Sequence, residues 1–369
     1  RIPDNAGTKW QQARDRAGAG VHGAYDTRHT NHVARSAHQD RCNGIRTTGS
    51  APRSYPHLVP EVQLAVAIDF GGTKVESAVI ASDGTVVPGS RFRAPTGRGA
   101  TADEVAASVA SVALDAAAVA HADGRPVVGV GIGSAGPINA TAGTASPLNV
   151  PSWREYPLRQ LVASSVAPIL GDVPVVLRID GEAIALAEYW VGAAQGATSL
   201  LGMVVSTGVG GGLIVDGRTV PGPSGNAGHI GHVGVGGATQ RCACGMLGCV
   251  EAVASGPNTV AWAQSHGWVG ATGEDLAVSC RNGDSIALEA VRRSAHAVGR
   301  AIAAATALLD LDIVAVGGGF SHVVDNYIDL VAEPITESDF PFVRKVQIVR
   351  SGLSGDGPLI GAGAFVLMP

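Results

Sequence analysis

Aromatic side chains are scarce in this sequence, with Phe, Trp and Tyr making up 4% of 369 residues, and charged residues reach only 15%. So little charge beside 46% hydrophobic residues excludes a chain disordered throughout. Five cysteines in so long a chain exclude a disulfide framework. No apolar run is long enough to span a membrane, because the longest, from Ala301 to Val316, is broken by Asp310 and Asp312. Residues 1–60 contain no Glu and only six Ile, Leu, Val, Met or Phe, without helical or strand spacing, and no apolar signal-peptide segment. A soluble, cytoplasmic protein of roughly two domains is the resulting expectation.

The charge is unevenly placed. Residues 1–60 carry eight Arg and one Lys against four Asp, a net +5, so the whole-chain value of -5 leaves -10 on the rest. Such a segment fits either a nucleic-acid-binding arm or a disordered extension, the latter from a start placed too early or from sequence foreign to the protein. The scattered Arg residues and the lack of a helix-turn-helix pattern favour the extension over residues 1–61.

From Val62 onward the pattern is globular. Leu64–Ile68 reads as a buried strand ending in Asp69-Phe-Gly-Gly-Thr-Lys74. A second β-branched run, Val75–Ile80, follows, then a hairpin signal at Asp83-Gly84 and a third strand beginning at Thr85-Val86-Val87. The glycines therefore join strand to strand, unlike a P-loop or dinucleotide fingerprint, which opens a helix. The device recurs: strand Leu201–Val205, glycine-rich turn Ser206–Gly212, strand Leu213–Val215, Asp216-Gly217, strand Arg218–Val220. Helices are expected over Ala102–Ala122, Ser285–Leu309 and Pro358–Leu367, and strands over Val127–Ile132 and Ile313–Val316. The duplication points to two related α/β lobes, each offering backbone N–H groups to a phosphate. That describes the two-lobed actin-like ATPase/hexokinase (ribonuclease H-like) fold. The first lobe is expected over 62–180, completed by a C-terminal helix at 356–369, and the second over 181–355.

Cys242-Ala-Cys244-Gly-Met-Leu-Gly-Cys249 follows shortly after Gly228-His-Ile-Gly-His232. His232, Cys242, Cys244 and Cys249 can close a tetrahedral shell around a structural zinc, the alternative being buried free thiols or a redox pair. Cys42 falls in the N-terminal extension, and Cys280 reads as an ordinary thiol.

Together, Asp69–Lys74, the turn at Thr207–Gly212, Gly228–His232 and Cys242-x-Cys-x₄-Cys249-x-Glu251 resemble the ROK family of bacterial repressors and sugar kinases. The resemblance covers about residues 62–369. It implies ATP-dependent phosphorylation of a hexose at its 6-hydroxyl, with Mg²⁺, a structural zinc knuckle and a homodimer, while the net charge of -5 separately makes neither nucleic acid nor a membrane an expected partner. On it, Asp180 matches the catalytic base of an Asn-Asp-x-Asn segment, and Asp69 the residue that positions Mg²⁺-bound water. Gly71, Gly72, Thr73 and Lys74, with Thr207 and Gly208, match phosphate positions, and Gly318 and Gly319 the adenosine-side turn. Asn149, His229, His232 and Glu251 match sugar positions, with Asp180 also at the sugar, and Trp153 reads as packing. Two departures stand out: Ile179 replaces the Asn before the base, and His229 replaces a Glu. Both are expected in the sugar pocket, so the sugar stays open, as does ATP or polyphosphate as donor. The same scaffold also admits a transcriptional regulator, a non-catalytic sugar sensor or a degenerate kinase that binds nothing.

Overall fold

The structure, a computed structural model, describes residues 62–353 and 355–368. The expected extension over 1–61, with Cys42, lies outside the described residues.

The first sheet has the order β3-β2-β1-β4-β7. Its strands are β1 (Leu64–Phe70), β2 (Lys74–Ala81), β3 (Phe92–Pro95), β4 (Val127–Ser134) and β7 (Val175–Ile179). β1, β2 and β3 are antiparallel neighbours, whereas β1, β4 and β7 run parallel. Helix α1 (Ala102–Asp123) lies between β3 and β4. The two-residue strands β5 (Ile138–Asn139) and β6 (Thr144–Ala145), then α2 (Leu158–Leu170), lie between β4 and β7. Helix α3 (Asp180–Trp190) follows β7 without a break.

The second sheet repeats the order as β10-β9-β8-β11-β12. It contains β8 (Leu200–Val205), β9 (Val209–Val215), β10 (Arg218–Thr219), β11 (Ile313–Gly317) and β12 (Gln347–Arg350). Between β10 and β11 lie α4 (Val250–Ala254), α5 (Gly256–Ser265), α6 (Gly273–Arg281) and α7 (Ser285–Leu309). Helices α8 (Tyr327–Thr336) and α9 (Pro341–Arg344) precede β12, and α10 (Gly357–Leu367) follows it. The matching strand orders give the α/β duplication expected from the repeat.

Side-chain alternation explains how the first sheet is covered. Leu64, Val66, Ile68 and Phe70 of β1, with Val130 and Ile132 of β4, enter one core with α1 and α2. On the opposite face β1 and β4 present small residues, Ala67 and Gly129, Gly131 and Gly133, beside Ile80 of β2, and α10 lies directly on it. A Cβ at Gly131 would stand 1.7 Å from the Ala362 carbonyl oxygen, and one at Gly361 1.8 Å from that of Ala183. On the other side of α3, a Cβ at Gly181 would lie 1.9 Å from the Gly211 carbonyl oxygen. Backbone thus meets backbone from β4 through α10 and α3 to β9.

Three expectations need correction. Val86 makes only an isolated bridge to Ile80, so the third strand is Phe92–Pro95 and not Thr85–Val87. β9 begins at Val209, which puts Gly210, Gly211 and Gly212 inside a strand and confines the turn to Ser206–Gly208. Those strand glycines admit α3, since a Cβ at Gly212 would lie 2.2 Å from the Gly181 carbonyl oxygen. Third, α1 is by length and composition apolar enough to cross a membrane, although no such candidate is expected from the sequence. Its stripe Val105, Val109, Val112, Ala116 and Ala120 is buried in the first core, and Ser77 Oγ donates to the Val112 carbonyl at 2.6 Å.

Gly361→Ala is expected to lower the thermal midpoint despite Ala being the better helix former, because overpacking costs about 1–3 kcal/mol. Gly99→Ala, where a Cβ meets nothing within 4 Å, should leave it unchanged. Equal midpoints for both variants in a thermal melt would refute the tight helix contact.

Candidate active site

The parallel strands β1, β4 and β7 bring two carboxylates to one edge of the first sheet. Asp69 is the penultimate residue of β1, paired with Gly133 of β4, and Asp180 opens α3 right after β7. Glycine at 133 keeps the space between them open, since even a Cβ there would stand 3.3 Å from Ala183 Cβ. Such a carboxyl edge of an open parallel sheet is the usual ligand-binding edge of α/β folds.

The charges there repel one another. Burial, reinforced by Asp180 and Glu76, pushes the Asp69 carboxyl up to about 7. Burial likewise raises Asp180 to about 6, with Glu251 adding to it, while N–H groups including that of Gly181 oppose the shift. The Gly181 N–H donates to Asp180 Oδ1 at 2.7 Å, which fixes the carboxylate at the start of the helix. The Lys74 charge acts on Asp69, opposing the rise of its carboxyl. Its ammonium is ion-paired with Glu76, which also accepts from Arg93 at 2.8 Å and Arg91 at 3.3 Å.

The first glycine turn, Gly71–Thr73, is closed by the Gly71 N–H donating to the Lys74 carbonyl at 2.9 Å. Asn149 lies against it, so that a Cβ at Gly72 would stand 2.6 Å from Asn149 Cβ. Arg98 donates to Asn149 Oδ1 at 3.1 Å, placing an exposed cation beside the turn. Sequence reasoning missed Arg98, because a lone Arg between two loop glycines has no pattern. Ile179 departs from expectation: its side chain is buried in the first core and not in a sugar pocket. Trp153 is fully buried, with its ring centroid 4.7 Å from Phe70 and 4.0 Å from Tyr156. Glu182, two residues after Asp180, was also missed. It is buried at 4% exposure with Oε2 unpartnered, 3.7 Å separating its Oε1 from Arg178, and burial raises its carboxyl.

In the second lobe the Ser206 N–H donates to the Gly208 carbonyl at 2.9 Å, and Glu251 Oε2 accepts from the Val209 N–H at 3.0 Å. A Cβ at Gly208 would lie 2.8 Å from that same carboxylate oxygen. Beside this turn opens a cavity of about 570 Å³, lined among others by Thr207, Gly256, Pro257, Gly319 and Phe320. Gly318 is outside the lining but sits behind it at φ 89°, where a Cβ would stand 2.5 Å from the Val205 carbonyl oxygen. Glu251 stands two residues after Cys249, which immediately precedes α4, so the cysteine loop and the second turn are mechanically joined.

That loop brings together the four expected metal ligands. The donor atoms of His232, Cys242, Cys244 and Cys249 all lie within 4.8 Å of one another. Cys244 Sγ and Cys249 Sγ are 3.7 Å apart, and Cys242 Sγ is 3.6 Å from His232 Nδ1. Tetrahedral Zn–S bonds of about 2.3 Å require sulfurs about 3.8 Å apart. The donor set and these two close pairs are therefore compatible with a tetrahedral zinc. Cys280 stands apart on α6, buried in the second core.

His229 lies 5.8 Å, ring to ring, from His232, and its Nε2 would be 2.9 Å from a Cβ on Gly136 of the first lobe. Burial, with His232 nearby, holds its imidazole below the usual range and hence neutral.

Residues 65–368 match the sequence profile described as the ROK family. An N-acetylmannosamine kinase of Shigella boydii is 34% identical over 298 residues, which are 80% of this chain and 96% of the relative. Among solved structures, a ROK hexokinase from Thermus thermophilus superposes with a TM-score of 0.70 at 28% identity, covering 83% of this chain and 98% of its own. A ROK family glucokinase from Streptomyces griseus, in complex with glucose and AMPPNP, gives 0.69 at 28% identity, covering 83% and 100%. The fold is thus that of the actin-like hexokinases, and the chain is a member of the ROK family.

Proposed function

We propose that this protein is an ATP-dependent sugar kinase that phosphorylates the 6-hydroxyl of a hexose, with Asp180 as general base. The observation that carries the reading is the position of Asp180: it begins a helix in a cleft between two glycine turns, with a second carboxylate, Asp69, at the same sheet edge. Asp180 takes the proton of the sugar hydroxyl as its oxygen attacks the γ-phosphorus, and the bond from γ-phosphorus to the bridging oxygen breaks to release ADP. Gly71, Gly72 and Thr73 on one side and Thr207 and Gly208 on the other supply the phosphate cradle, and the cavity at Gly319 takes the adenosine. A Mg²⁺ accompanying ATP would supply charge neutralisation beside Asp69, whose carboxyl is raised by burial and by the neighbouring Asp180 and Glu76. Lys74 is left out of this assignment because Glu76 holds it.

His232, Cys242, Cys244 and Cys249 would hold a structural zinc that pins the loop bearing His232 and the helix bearing Glu251. The sugar lies between Asn149, His229, His232 and Glu251 in this reading. N-Acetylmannosamine is the first candidate. The Shigella relative bears that name, and a neutral His229, standing where the resemblance expects a Glu, leaves that side of the pocket without a carboxylate.

ADP release measured across N-acetylmannosamine, glucose, mannose and N-acetylglucosamine is expected to be highest with the first. Asp180→Asn should lower turnover about 10²–10⁴-fold while calorimetry still detects sugar binding. No turnover with any of these sugars in zinc-replete protein would end the kinase reading.

The base works only when ionised. With its carboxyl at about 6, kcat should hold near pH 7 and fall about tenfold per pH unit below 6. A profile flat down to pH 5 would exclude Asp180 as the titrating base.

Metal analysis should find one zinc per chain. Stripping it with a chelator is expected to lower the thermal midpoint and to raise the sugar KM. An unchanged midpoint after complete removal would show that the cluster has no structural role.

A further inference from the structure

The segment that leaves β10, residues 220–228, does not stay on the second lobe. It crosses to the strand β5 of the first, and a side chain makes the junction. Asn226 Oδ1 accepts from the Ile138 N–H at 2.8 Å, and Asn226 Nδ2 donates to the Ile138 carbonyl at 2.7 Å. One amide thus satisfies both backbone groups of one residue, as a neighbouring strand would. The approach is backed on either side. The Ala140 N–H donates to the Ser224 carbonyl at 3.4 Å, and Gly225, at φ 86°, lies so close that a Cβ there would stand 2.8 Å from Ala140 Cβ. Asn226 Nδ2 also reaches its own segment, at 3.3 Å from the Ser224 carbonyl and 3.2 Å from Ser224 Oγ, which orients the amide.

The two segments joined in this way also carry one wall of the candidate sugar pocket. His229 follows Asn226 by three residues, and Gly136, against which its ring lies, precedes Ile138 by two. The hydrogen-bonded pair and the ring-on-backbone contact therefore form one continuous seam between the lobes.

From this seam we infer that Asn226 is a positioning residue for the sugar: its amide clips the second-lobe segment to Ile138 and so sets where His229 stands relative to the first lobe. The inference rests on the sugar-kinase reading and deepens it. Asn226 touches no reacting atom, so its loss acts on sugar affinity and not on the chemical step. Nucleotide binding, which belongs to the two glycine turns and the cavity at Gly319, is unaffected by it.

The test uses the full chain with zinc bound and compares Asn226→Ala and Asn226→Asp with the unaltered protein. The second variant retains an acceptor for the Ile138 N–H but has no donor for its carbonyl, and it keeps the question open should the first fail to fold. Calorimetry with N-acetylmannosamine is expected to show a sugar Kd raised about tenfold, the size set by losing two net hydrogen bonds. The Kd for a non-hydrolysable ATP analogue and kcat at saturating sugar should stay within about threefold. In sugar-free protein the Ile138 amide should exchange with deuterium faster in Asn226→Ala. Unchanged exchange shows that the clip does not form, and faster exchange with an unchanged sugar Kd shows that it does not position the pocket; either overturns the inference. Failure of the kinase reading is seen separately, as absence of turnover in the unaltered protein, while Ile138 exchange still reports on the clip.

Discussion

Close packing of bare backbone is the constraint on which the remaining architecture depends. Gly131 against Ala362, Gly361 against Ala183 and Gly181 against Gly211 form one line from the first sheet to the second. No side chain separates these segments, so α3 has one seating, fixed by van der Waals contact with little room for adjustment. Asp180 is the first residue of that helix. Its placement at the sheet edge follows from a contact that runs along the helix, outside the cleft itself.

The cleft's electrostatics follow from the same crowding. Asp69, Asp180 and Glu251 occupy a desolvated region of a chain whose residues beyond 60 already carry a net -10. Lys74 and Arg91, the cations that act on Asp69, are both paired with Glu76. An anionic nucleotide therefore gains nothing from the global field. It depends on backbone N–H groups and on whatever cation comes with it, which is how phosphoryl transfer sites of this kind divide the work.

Much of this was legible in the sequence. The strand-turn-strand repeat gave matching sheets, and α7 follows its amphipathic period from Ser285 to Leu309. The four-ligand cluster could be read from spacing, because thiolates so dense have little else to do. Other features were illegible for physical reasons. A glycine run looks the same whether it turns the chain or admits a helix, and only the position of α3 tells Gly208 from Gly212. Ile179 looks like a damaged sugar contact until strand alternation shows it facing the core. Lys74 ends a phosphate-like motif, yet the carboxylate that holds it is two residues along the same strand. Arg98, Glu182 and Asn226 have no motif at all, since their roles come from residues brought near only by folding.

The bond from Glu251 to the Val209 N–H gives the duplication an asymmetric outcome. In the first copy the carboxylate is part of the strand, at Asp69, and the turn is closed by its own backbone, Gly71 N–H to Lys74 carbonyl. In the second, a carboxylate arrives from a separate helix and occupies the Val209 amide, the first after the turn. Copies with the same strand order have thus diverged in what they offer: one keeps a built-in acid, while the other borrows its acid from an insertion tied to the cysteine loop. The two ends of the cleft are therefore unlike, which is what a reaction joining two unlike substrates requires.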